Sequence, residues 1–203
     1  MVFILCRDAL ELLRSLPDKS VDLVLTDPPY GIGIAKTGHV GNGKKGFTKK
    51  NWDARPPGPE VFREILRVSR WSIIWGAQYF ADRLPPSGKW LIWDKAPHQR
   101  GKTSFADCEL AWCSWKGPAR IHTRIWRGFS KQTRDERLAH PTQKPSELME
   151  WCIGQCPIQP RSILDPFMGT GSVLVAAERL GIDATGSDLD LEYVEMVKTR
   201  LGL

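Results

Sequence analysis

Hydrophobic and polar positions follow two rhythms along this chain. Short apolar, β-branched runs read as strands: VFIL (2–5), VDLVLT (21–26), SIIWG (72–76), KWLIWD (89–94), DCELAWCSW (107–115), RSILD (161–165) and DATGSD (183–188). Between them lie stretches with helical spacing: DALELLRSL (8–16), PEVFREILRVS (59–69), AQYFADRL (77–84), PSELMEWCIGQC (145–156), SVLVAAERLG (172–181) and LEYVEMVKTRL (191–201). Strand–helix alternation of this kind predicts an α/β fold, a seven-stranded and mostly parallel sheet with helices on both faces. KWLIWD and DCELAWCSW have no helix between them and are expected to form one antiparallel hairpin at the sheet edge.

Length and composition narrow the class. The 203 residues, 41% of them hydrophobic, suit one domain spanning 1–203. The opening MVFILC is apolar for six residues only, too short to cross a membrane and without a secretory cleavage pattern, so it is expected to be a buried strand. Five cysteines, an odd number with no C-x-x-C pair, argue against a disulfide framework and against a metal site, and point to a reducing, cytoplasmic setting.

Charge is unevenly placed. The net charge is +6, yet residues 31–52 alone carry +5 and residues 116–137 another +5, leaving −4 for the rest. The second basic segment interleaves Trp126 and Phe129 with its arginines, a composition suited to phosphate neutralisation and base stacking. Candidate nucleic-acid contacts are Lys36, Lys44, Lys45, Lys49 and Lys50 in the first segment, and Arg120, Arg124, Arg127, Lys131 and Arg134 in the second. Two solvated surface loops are the plainer reading.

Two strand ends carry candidate chemistry. SILDPFMGTGS ends a strand at Asp165 and opens a helix through Gly169-Thr170-Gly171-Ser172, a corner where backbone can approach a ligand and Ser172 is placed to cap the helix. Leu174 stands where a dinucleotide fingerprint needs a third glycine, which disfavours pyrophosphate. About twenty residues on, Asp188 closes the next strand where an acid can hold a ribose. GHVGNGKK at 38–45 mimics a phosphate loop, but Lys45 replaces the required Ser/Thr and no strand precedes it. The other strand end is VDLVLT followed by Asp27-Pro28-Pro29-Tyr30. Prolines stiffen the turn and remove N–H donors, leaving a carboxylate and carbonyls to receive an exocyclic amine, with Tyr30 as a flat face. Ligands of open α/β sheets bind beyond the carboxyl ends of strands, so Asp27 and Asp165 are expected at one pocket.

TDPPYGIG, HPTQKP (140–145) and DPFMGTGS (165–172) together resemble the amino-transferring DNA methyltransferases that modify adenine N6 or cytosine N4. Catalytic motif first and cofactor motif last resembles the permuted β class. The resemblance implies a Rossmann-like fold that binds S-adenosylmethionine and flips a base of double-stranded DNA. It implies that Asp27 and the Pro28 carbonyl accept hydrogen bonds from the target amine while Tyr30 stacks on the base, Pro29 completing the motif. It further implies a cofactor pocket lined by Asp27, Asp165, Phe167, Gly169, Thr170, Gly171 and Ser172, with Asp188 on the ribose. His140, Pro141, Thr142 and Lys144 fall in a second cofactor motif, Lys144 reaching the methionine carboxylate. Asp8 and Ala9 would touch the adenine, although Asp8 as a helix cap explains the same residues. A short target-recognition insertion is expected at about 96–139, relying on the loop 31–58 or on a second subunit in a homodimer. Asp rather than Ser before Pro-Pro-Tyr favours adenine N6. Cytosine N4, an RNA substrate, an amide side chain of a protein and a non-catalytic nucleic-acid-binding relative stay as alternatives.

Overall fold

The computed structural model describes residues 1–33, 39–40, 44–45, 53–95, 97–98, 106–127, 130–131 and 143–203. Eight strands form its main sheet: β1 (Val2–Cys6), β2 (Val21–Thr26), β3 (Ser69–Trp75), β4 (Trp90–Asp94), β5 (Cys108–Cys113), β6 (Arg120–Thr123), β7 (Ser162–Asp165) and β8 (Asp183–Asp188). Their order across the sheet is β1-β8-β7-β2-β3-β5-β4-β6. Only β5 runs against the others: it pairs antiparallel with β3 on one side and β4 on the other, whereas the remaining neighbours pair parallel.

All seven expected strands are present, although β1, expected to be buried, is an edge strand with no buried residue, and the eighth, β6, lies inside the second basic segment. Its sequence, RIHT, offers no apolar run, and three of its four residues are exposed. Parallel pairing with β4 forms it, from Leu91 opposite Arg120 to Asp94 opposite Thr123, so the β4–β5 hairpin is not the sheet edge. Two two-residue antiparallel ladders, His39–Val40 with Lys44–Lys45 and Trp126–Arg127 with Ser130–Lys131, stand apart from this sheet.

Helices α1 (Ala9–Arg14), α2 (Pro59–Val68), α3 (Ser146–Ile153), α4 (Ser172–Arg179) and α5 (Leu191–Leu201) cover both faces. The period-two alternation of the central strands divides the core: Leu23, Leu25, Ile73 and Trp75 pack with Leu148, Met149, Leu174 and Val197, while Val24 and Ile74 pack with Leu12, Leu13, Phe62 and Ile65. Helix α2 starts with Pro59 and buries Val61, Phe62, Ile65 and Val68, a stripe one turn apart along one face. The expected helix at 77–84 is instead two 3₁₀ turns, Ala77–Tyr79 and Ala81–Arg83. Its buried anchors, Ala77 and Phe80, are three residues apart, the period of a 3₁₀ turn, and Pro85-Pro86 stops further helix.

Candidate active site

Strand β2 ends at Thr26, and its parallel neighbour β7 ends at Asp165, so the two carboxylate-bearing turns emerge side by side from the same edge of the sheet. A buried bond joins them: the Thr26 hydroxyl donates to Asp165 Oδ1 at 2.7 Å, and the Phe167 amide donates to the same oxygen at 3.1 Å. Burial pushes the Asp165 carboxyl up to about 7, against the help of these two donors.

The Asp27–Tyr30 turn is held from both sides. The Tyr30 hydroxyl donates to Asp27 Oδ1 at 2.5 Å, and Gly31 donates its amide to the buried Asp53 carboxylate at 2.7 Å. The Tyr30 ring lies against Gly76, where a Cβ would stand 1.9 Å from ring atom Cε1. Gly76 also has φ +70°, a conformation that disfavours other residues. Tyr79 stacks on Tyr30 with ring centroids 4.9 Å apart and planes 19° apart. One face of the Tyr30 ring thus carries a neighbouring side chain.

Lys144 occupies the centre of the group. Its buried ammonium bonds Asp27 Oδ2, donates to the Tyr30 hydroxyl at 3.1 Å and lies 3.1 Å from Glu109 Oε2. The other Glu109 oxygen accepts from Lys95 at 2.6 Å, so two acids and two lysines alternate in one chain. Burial lifts the Asp27 carboxyl above its ordinary value, and the Lys144 ammonium pulls it down without overcoming that lift. Burial works against the Lys144 charge as well, but Asp27 and Glu109 outweigh it and hold its pKa above the usual lysine value. Burial opposes the charge of Glu109 too, but Lys144 and Lys95 prevail and lower it to about 2. Burial, with Asp27 next in effect, raises the Tyr30 phenol well above its usual range.

Glycines shape the neighbouring corner. Gly169 (φ +47°) and Gly171 (φ +77°) both adopt left-handed backbone, and nothing lies within 4 Å of a Cβ placed on Gly169. A ligand can therefore approach the backbone there. The Gly169 amide donates to Asp188 Oδ2 at 3.1 Å and the Asp190 amide to Oδ1 at 2.9 Å, fixing the carboxylate at the end of β8. Gly171, not Ser172, is the N-cap of α4; the Ser172 hydroxyl instead donates to the Lys144 carbonyl at 2.7 Å. Nearby, the Arg200 guanidinium bonds the Thr170 carbonyl at 2.5 Å and the Ser146 hydroxyl at 3.3 Å. These bonds tie the segment leading into α3 to the glycine corner.

The other named residues separate. Asp8 caps α1, accepting from Leu10 and Glu11 at 2.9 and 3.0 Å, and Ala9 is buried in the first turn. Arg120 is exposed on β6. Arg124 is buried and ion-paired with Glu147, and its carbonyl accepts from the Trp93 indole at 3.0 Å, so it faces the fold rather than a phosphate. Lys44, Lys45, Arg127 and Lys131 belong to the two short ladders. Lys36, Lys49, Lys50, Arg134, His140, Pro141 and Thr142 lie outside the described residues. All five cysteines are free thiols, no group of three or more His, Cys, Asp or Glu among the described residues could hold a metal ion, and no described helix is long and apolar enough to cross a membrane.

Sequence reasoning missed Glu109 and Lys95, and it did not foresee that Lys144 bonds Asp27. A glutamate inside the otherwise apolar strand CELAWC was the available signal. What that signal could not give was direction. Because β5 is antiparallel, its first residues reach the sheet edge where β2 and β7 deliver their last ones.

Comparison with known proteins identifies the family. Residues 89–199 match the N6/N4 methyltransferase family profile, described as DNA methylase. The Type II methyltransferase M.HpaI of Haemophilus parainfluenzae is 25% identical over 98% of this chain and 73% of its own length. M.ScaI of Streptomyces caespitosus is 24% identical over 96% of this chain and 79% of its own. Among solved structures, the M1.HpyAVI–SAM complex matches with TM-score 0.61 and 21% identity over the full length of both chains. The cytosine-N4-specific PvuII DNA methyltransferase matches with TM-score 0.65 and 17% identity over 98% of this chain and 86% of its own. The profile spans more than half of the chain, from β4 through most of α5 and across the glycine corner, and the chain belongs to the N6/N4 DNA methylase family.

Proposed function

We propose that this chain is a DNA methyltransferase that moves the methyl group of S-adenosylmethionine to the exocyclic amine of a flipped base, with adenine N6 as its target. The observation that carries the reading is the pairing of Asp27 at the end of β2 with the glycine corner at the end of adjacent β7. An amine acceptor and an open backbone cradle then share one pocket. The cradle suits the cofactor: nothing crowds the Gly169 backbone, so an adenosine would approach it closely, and Asp188, bonded to the Gly169 amide, would take the ribose hydroxyls. Phe167, Thr170 and Gly171 complete that wall, in the permuted order of the β class.

When bound, S-adenosylmethionine supplies a methyl on a sulfonium, and transfer forms the N–C bond as the S–C bond breaks and its electron pair returns to sulfur. Asp27 and the Pro28 carbonyl accept from the amine and orient its lone pair. Asp27 receives the proton that the nitrogen must lose, a role aided by the raised pKa that burial gives it. Pro29 stiffens the turn, and Tyr30, locked by Asp27 and Gly76, fixes the carboxylate and bounds the base pocket. The basic segments attract the duplex and offset the few kcal/mol that flipping costs.

The deciding experiment incubates the protein with labelled S-adenosylmethionine and amplified, unmethylated genomic DNA, followed by digestion to nucleosides. Label in N6-methyladenosine is expected. Label in N4-methylcytosine would move the target to cytosine. No label in DNA would refute the reading.

A further inference from the structure

Methyl transfer needs the Asp27 carboxylate to face a substrate amine, yet Asp27 Oδ2 already holds the Lys144 ammonium. The lysine stands where the incoming amine must donate. It cannot simply be expelled into solvent, because its side chain is 6% exposed and its carbonyl is held by Ser172. A second anchor is present. Glu109 Oε2 lies 3.1 Å from the same Nζ, is 20% exposed, and belongs to a strand that arrives from the opposite direction. Its Oε1 is occupied by Lys95 at 2.6 Å, which holds the carboxylate in place.

On the reading that this pocket transfers a methyl to a base amine, we propose that Glu109 is a positioning residue, the carboxylate onto which Lys144 withdraws when the substrate amine replaces it on Asp27. Three charged groups then share two arrangements. Without substrate, Lys144 bridges both acids, and its charge favours the ionised form of Asp27 against the opposing effect of burial. With substrate, the ammonium remains neutralised by Glu109, and Asp27 is released to the amine at small cost because a buried ion is never left unpaired. Removing Glu109 would leave Asp27 as the remaining anion beside Lys144 and lock the ammonium onto the acceptor.

The test uses Glu109→Gln, which keeps size and hydrogen bonding but removes charge. Single-turnover methylation of amplified genomic DNA should slow at least tenfold, whereas affinity for S-adenosylhomocysteine and melting temperature change little. The double variant Glu109→Gln/Lys144→Met should be faster than Glu109→Gln alone, because the locked ammonium is gone. A purely structural role for Glu109 predicts the reverse order, with the double variant at or below either single one, and that result overturns the proposal. So does a Glu109→Gln protein with unchanged rate while the wild type is active. A wild type that labels no DNA overturns the methyltransferase reading itself.

Discussion

Asp27 has several partners in the structure, and each gives a separable expectation. Asp27→Ala should abolish methyl transfer while leaving affinity for S-adenosylmethionine within a few-fold, measured by calorimetry; retention of most of the rate would remove Asp27 from the acceptor role. Gly76 tests the support of Tyr30. Gly76→Ala combines left-handed backbone with a Cβ 1.9 Å from the ring, while Gly181→Ala has φ +68° with nothing within 4 Å. The Gly181 variant should lose about 1 kcal/mol and the Gly76 variant about 2–4 kcal/mol in urea melts. Asp165 gives a pH expectation. Its folded pKa of about 7 lies above the ordinary value of 3.8, so the folded state binds the proton more tightly. The stabilisation this brings is complete below about pH 4 and fades as pH rises toward 7. Asp165→Asn should flatten that part of the stability–pH curve.

At the scale of elements, β6 and α1 separate residues that look alike in sequence. Arg120 and Arg124 are both basic and four residues apart, but one is exposed on β6 and the other is buried against Glu147. Arg120→Ala should weaken DNA binding and lower the salt slope by about one, whereas Arg124→Ala should lower the melting temperature and leave the slope unchanged. Asp8 holds two backbone N–H groups at the start of α1. Asp8→Ala should then cost about 1 kcal/mol of stability. These outcomes follow from burial and pairing, which residue type does not reveal. A basic segment read as one loop contains a strand, an exposed arginine and a structural ion pair.

Among the described residues, the helices pack on one continuous eight-stranded sheet. We infer a single folding unit, and expect far-ultraviolet circular dichroism and tryptophan fluorescence to report one coincident unfolding transition. On the proposed function, the net charge of +6, concentrated in two basic segments, is expected to draw the protein to DNA, and binding should fall steeply with salt.

The sequence by itself determined most of the fold. Period-two apolar runs and helical stripes are local signals, and they located seven strands and five of the helices; the turn at 77–84 escaped because its two anchors satisfy a 3₁₀ period as well as an α one. The motifs at 27–30 and 165–172 also marked two strand ends, adjacent in the structure, as the candidate site, because prolines and glycines act on the backbone where they stand. Only the tertiary structure decided which charged side chains share the pocket. Strand β6 exists because β4 offers it a ladder, and Glu109 meets Lys144 because β5 runs backwards between β3 and β4. Long-range pairing and strand direction set both, and neither leaves a mark on the local pattern of the chain.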